Sequence, residues 1–143
     1  MRSTTISSAP ALSARVLKPA IVVARLVLFA SAAALLVLGV IIWTGSGDQL
    51  IPLHVVVGSA LVLALWVIAA MAFMAGVSRP LITLAVAWSV LVPIFGLTQD
   101  RLVEGDLHWT IQVLHLVVGM SLAAFGQGLI LQIDRRQTAS RLR

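Results

Sequence analysis

The chain has 143 residues, 60% of them apolar and 10% charged, with a mean hydropathy of +1.07. That balance excludes an ordinary soluble domain and points to an integral membrane protein. The absence of cysteine excludes disulfides, thiolate metal sites and c-type haem attachment, and the net charge of +5 does not signal nucleic acid, because the basic residues lie at the chain ends and in one short turn.

Residues Met1 to Lys18 are rich in Ser, Thr and Ala, carry Arg2, Arg15 and Lys18, and hold no acid. A segment of this kind buries too little apolar surface to fold alone, so it reads as a flexible basic tail. Its Ser- and Arg-rich, acid-free make-up also resembles an organelle transit peptide. The apolar run that follows is too long for a cleaved secretory signal.

Residues 19–133 read as an all-α, four-helix membrane bundle. The first span runs from about Ile21 to Trp43, unbroken from Leu26, and at about 1.5 Å per residue it crosses a hydrocarbon core about 30 Å thick. Arg25 can snorkel to the headgroups, and Trp43 stands where an interfacial aromatic is favoured. Thr44-Gly-Ser-Gly-Asp48 is a turn. The second span covers about Leu50 to Ala75, with Pro52 in its first helical turn. Gly76 to Arg79 connects it to the third, about Leu81 to Thr98, which Pro93 is expected to kink. Gln99 to Asp106 forms a polar loop, about Leu107 to Ile133 forms the fourth span, and Asp134 to Arg143 forms a second basic tail.

Of ten Lys and Arg residues, nine lie in the two tails, in the Gly76–Pro80 turn or just inside the first span. Only Arg101 lies in the other connections, which hold Asp48, Asp100, Glu104 and Asp106. The positive-inside rule then predicts four passes with both termini cytoplasmic, in a bacterial inner membrane or its equivalent.

Within this frame one motif occurs twice. Leu53-His-Val-Val-Val-Gly58 on the second span is matched by Leu114-His-Leu-Val-Val-Gly119 on the fourth, and Leu53–Leu65 and Leu114–Gly126 agree at six of thirteen positions. Two tandem hairpins of like orientation place His54 and His115 about 6 and 12 Å below the outer ends of their helices. An ionisable residue inside hydrocarbon is a functional candidate whose partner has to be named. Here the predicted partner of each histidine is the other, through a haem iron between them.

Imidazole is a good axial ligand for haem iron, and helical bundles build core sites from side chains on facing helices. Gly58 and Gly119 lie four residues below each histidine on the same face, where a small residue lets a flat group approach the backbone. A bland alternative stands beside this reading: a membrane histidine can hydrogen-bond to a neighbouring helix, and glycine can serve close packing. Positions one leaflet deeper, near Ile68 and Leu129, are aliphatic, so the expectation is one haem b rather than two.

Around this pair the sequence offers polar neighbours. His108 lies seven residues before His115 with Gln112 between them, nearly on one face and about 10 Å further out for His108. It suits a haem propionate, a proton relay or a quinone headgroup, or else is an interfacial histidine in water. Arg101 is a candidate propionate counter-ion through its bidentate fork, or a solvated partner of Asp100 or Glu104. Trp43 and Trp109 read as an outer aromatic belt, while Trp66 and Trp88 fall in mid-membrane to pack the core or flank a ring. Met71, Met74 and Met120 read as packing. There is no intramembrane acid, nucleophile–base pair or phosphate-cradling loop.

The stretches Gly39-Val-Ile-Ile-Trp-Thr-Gly-Ser-Gly47, Leu53–Gly58 and Ile111-Gln-Val-Leu-His-Leu-Val-Val-Gly119 resemble one four-helix half of haem A synthase, and more loosely membrane b-type cytochromes. The resemblance spans about Leu26 to Ile133 and implies that His54 and His115 are axial ligands of a b-type haem. The catalytic half of that family carries a glutamate three residues before its second-helix histidine and an arginine after it, where this chain has Ile51 and Val55. The family's outer-loop cysteines are absent as well. The resemblance therefore implies holding a haem more than oxidising one.

The sequence thus leads to a membrane b-type cytochrome exchanging electrons with a quinone or a larger membrane redox complex near the outer face. Two rivals stand beside it. One is a non-redox accessory or assembly subunit of a membrane complex, and the other is a haem-modifying enzyme module.

Overall fold

The structure, a computed structural model, describes residues 9–103 and 105–142, with the side chains of residues 9–18, Asp100 and Arg141 outside the description. The expected tail over residues 1–8, the expected pairing of Arg101 with Asp100 or Glu104, and the last residue of the basic C-terminal tail lie outside the described residues. The described chain is helical, with α1 at Ala9–Trp43, α2 at Ile51–Met74, α3 at Arg79–Thr98 and α4 at His108–Arg141. Short 3₁₀ turns at Asp48–Leu50, Gln99–Arg101 and Gly105–Leu107 join them. Four stretches are long and apolar enough to cross a membrane: Pro19–Trp43, Asp48–Met74, Arg79–Thr98 and Gly105–Ser140. Large apolar side chains such as Leu26, Leu63, Val67, Leu97 and Val117 are exposed along all four helices, as a lipid-facing surface requires.

Two helices are longer than their apolar runs. α1 begins at Ala9, inside the segment expected to be a tail, and α4 continues past Ile133 to Arg141. Extending an existing helix adds one hydrogen bond per residue without a new nucleus, and Ala, Leu, Arg and Gln are good helix formers. In α4 the hydroxyls of Thr138 and Ser140 donate back to the carbonyls of Asp134 and Gln137.

The punctuation of the chain follows its sequence. Pro52 and Pro80 stand in the first turns of α2 and α3, where a missing N–H leaves nothing unsatisfied. α2 stops at a Schellman cap: Gly76, at φ 73°, donates to Phe73 O, and Val77 donates to Ala72 O while burying its own side chain. α3 runs through Pro93 to Thr98 as one helix.

Contacts between helices fix their directions. A Cβ at Gly58 would lie 3.9 Å from Leu35, and one at Gly39 would lie 3.7 Å from the His54 ring, so α1 and α2 run oppositely. α3 and α4 do likewise, since Trp88 meets Ser121 and Gly96 meets His115. Gly126 of α4 lies against Leu28 of α1.

The packed core occupies one end of the bundle. Ile21, Ala24 and Leu28 of α1, Leu61 to Ala72 of α2, Ala85 and Val92 of α3, and Leu122 to Ile133 of α4 supply its buried members. Toward the end carrying the 44–50 and 99–107 connections, Gly47 is the one described residue that is buried. The packing is therefore dense where the chain begins and ends, and looser at the opposite end.

Candidate functional site: a histidine pair between α2 and α4

Both repeated histidines lie in the looser end, one turn inside α2 and two turns inside α4. Their rings come together between the two helices, with centroids 6.4 Å apart and planes inclined by 44°. Imidazole nitrogens bind metal ions at about 2.0–2.1 Å, so two rings gripping one ion from opposite sides have centroids about 6 Å apart. The observed spacing is of that size. The inclination fits as well, because each ring is free to turn about its own nitrogen–metal bond.

Burial leaves these rings with unspent binding capacity. Nδ1 of His54 and Nδ1 of His115 are both buried and meet no hydrogen-bond partner. Buried polar atoms without partners are uncommon in native structures and each calls for an explanation. The interhelical hydrogen bond that would make these histidines simple glue does not form at either Nδ1.

The donor set narrows what such a pair would hold. Among the described residues no three His, Cys, Asp or Glu side chains come together. A bare divalent ion bound by protein alone wants four or more ligands, whereas the iron of a porphyrin already has four nitrogens and lacks only two axial ones. Two imidazoles from neighbouring helices would complete that set.

The other predicted residues are distributed unevenly. Gly119 is open, with nothing within 4 Å of a Cβ built there, as room for a flat group requires. Gly58 instead faces Leu35 and serves the contact between α1 and α2. His108, at the start of α4, turns to the connection, its Nδ1 lying 3.3 Å from Val103 O. Gln112 is half-buried and joins neither histidine through a described hydrogen bond, and Arg101 is exposed in its 3₁₀ turn. The structure thus brings His54 and His115 together, leaves open space at Gly119, and gives His108, Gln112 and Arg101 no described contact with the pair. At the deeper level, Ile68 and Leu129 are fully buried in the core.

Several contributors escape the sequence reading. Phe95 packs on His115 with centroids 5.8 Å apart, and Gly96 sits directly behind the same ring. Gly39 backs His54 in the same way. A glycine inside an apolar helix commonly has a packing reason, which is the signal Gly96 offered. Trp66 and Trp88 also prove to be more than packing: Trp66 Nε1 donates to Ser89 Oγ over 2.7 Å and Trp88 Nε1 donates to Ser121 Oγ over 2.5 Å. These two bonds tie α2 to α3 and α3 to α4, on the dense-end side of the histidine pair. Met120 is half exposed rather than packed, and Trp43 and Trp109 are exposed at the ends of their helices. The side-chain oxygens of Gln99 and Gln127 are buried without partners, another feature that composition did not announce.

Comparison of the chain with known protein families, with curated proteins and with solved structures returned no match.

Proposed function

We propose that the protein is a membrane b-type cytochrome in which His54 and His115 hold a single haem b between α2 and α4. The observation that carries this reading is the pair of imidazoles 6.4 Å apart with buried, unpartnered nitrogens. The absence of full burial around them and the open face of Gly119 support it, since a macrocycle needs space that a close-packed core would not leave. The repeat of Leu-His-x-Val-Val-Gly supports an origin in two tandem hairpins.

A bound haem supplies reversible one-electron transfer, with its potential set by its axial ligands, burial and neighbours. His54 and His115 would be the residues that hold the iron, with Gly119 leaving space beside them for the macrocycle. Because one such group near one membrane surface does not bridge the bilayer, exchange with a quinone or with a redox subunit at that surface is the natural coupling. The distribution of Lys and Arg supports cytoplasmic termini and a multi-pass bacterial inner-membrane setting. His108 and Arg101, near the helix ends, are suited to the propionates or to a partner's headgroup.

The test is an absorption spectrum of the full chain purified in detergent. A sharp reduced band of low-spin b-type haem is expected, lost in His54→Ala and in His115→Ala and kept in His108→Ala. A colourless protein, or a band indifferent to the first two changes, would overturn the proposal.

A further inference from the structure

We infer that Gly96 is the positioning residue for His115: by presenting bare backbone to the ring, α3 sets where that imidazole stands relative to His54. The inference rests on the haem reading for its purpose, though not for its geometry. A Cβ built at Gly96 would lie 2.7 Å from His115 Cε1, 3.4 Å from Nε2 and 3.5 Å from Nδ1. The first of these is closer than side-chain carbons approach one another, so any residue with a side chain here displaces the imidazole. Phe95, the preceding residue of α3, packs on the same ring with centroids 5.8 Å apart. Two consecutive α3 residues thus contact the His115 ring, whose centroid stands 6.4 Å from that of His54.

A second glycine supplies an internal control. Gly39 of α1 backs His54 as Gly96 of α3 backs His115, so each hairpin places a glycine of its first helix behind the histidine of its second. The clearances differ, however. A Cβ at Gly39 would lie 3.7 Å from His54 Cε1, an ordinary van der Waals contact that requires no movement. Alanine is therefore tolerated behind His54 and not behind His115.

The displaced atoms belong to the end of a side chain, not to backbone. His115 can turn away from an alanine at little expense in folding, but it cannot do so and still stand opposite His54. Gly96→Ala should leave the bundle folded and spoil the pairing of the rings. A residue serving helix packing alone would show the reverse, a loss of stability with the pairing intact.

The experiment compares Gly96→Ala and Gly39→Ala in the full chain. Haem occupancy is expected to fall about tenfold or more in Gly96→Ala, the range seen when the partner that orients a metal ligand is removed. The low-spin signature of the residual haem should change, while Gly39→Ala stays as the parent in both respects. The chain has three histidines, so carbon-13 labelling of histidine in the haem-free protein reads each ring, with assignment from single His→Ala changes. The His115 ring signals should move in Gly96→Ala and not in Gly39→Ala, with unchanged helicity by circular dichroism in both. A parent that holds no haem but shows the His115 shift would overturn the cytochrome reading and keep this inference. Unmoved His115 signals in a folded Gly96→Ala protein, or equal effects at the two glycines, would overturn the inference.

Discussion

At the scale of single residues, the chemistry of this chain is concentrated in very few polar atoms. His54 and His115 are held by helices on which almost every neighbour is aliphatic, so their orientation comes from packing against Gly39, Phe95 and Gly96 and not from hydrogen bonds. The connection before α4 shows the opposite situation. Val103 adopts φ 49°, a left-handed conformation that a β-branched residue resists, and its carbonyl faces His108 Nδ1. Glycine would hold this conformation without strain. Val103→Gly is therefore expected to stabilise the protein by about 1 kcal/mol, read as a higher midpoint of thermal unfolding in detergent. A lower midpoint would show that the valine side chain contributes more than its backbone strain removes.

At the scale of elements, two Trp–Ser bonds do what apolar contact alone does poorly in a membrane. Lipid is as apolar as a leucine side chain, so helices associate through close packing and interhelical hydrogen bonds. Ser89 and Ser121 each accept from a tryptophan of the preceding helix and donate to a carbonyl three residues back in their own. Trp66→Phe should destabilise the bundle by about 0.6 kcal/mol, the average for such bonds. Leu65→Ala, at a fully buried site of α2, should cost about 2 kcal/mol, the low end for a buried leucine because only packing and not transfer from water is lost. Denaturant titration of helicity in mixed micelles measures both, and an equal effect of the two substitutions would contradict this ranking.

For the whole molecule, the division into a dense end and a looser end locates the site. The buried members of all four helices gather where the chain begins and ends, and the histidine pair lies toward the other connections. The charge distribution predicts that the dense end faces the cytoplasm. Because the chain contains no cysteine, single replacements give a clean test of this arrangement. In intact bacterial cells an impermeant thiol reagent should label Ser46→Cys, in the first connection, and should reach Thr138→Cys, near the end of α4, only after the membrane is opened. Labelling of Thr138→Cys in sealed cells would reverse the orientation.

Much of this protein was legible from the order of its residues. Long apolar runs cannot satisfy their backbone in lipid except as helices, so four spans and their connections follow directly. Pro52, Pro80 and Gly76 mark the helix ends where they are found, and His54 and His115 announce themselves as polar residues in hydrocarbon that occur in one repeated motif. The ends of α1 and α4 were less legible, because helix propagation is indifferent to the change from apolar to basic residues on which the sequence boundaries rested. Only the tertiary structure decided which residues stand behind the rings. Gly39 and Gly58 differ in no local property from Gly96 and Gly119, and their separate roles arise from which helix approaches each face and how closely. Composition and periodicity determine that a helix forms and which environment it enters. The distance between two side chains on different helices depends on contacts far apart in the chain, and those exist only once the bundle has assembled.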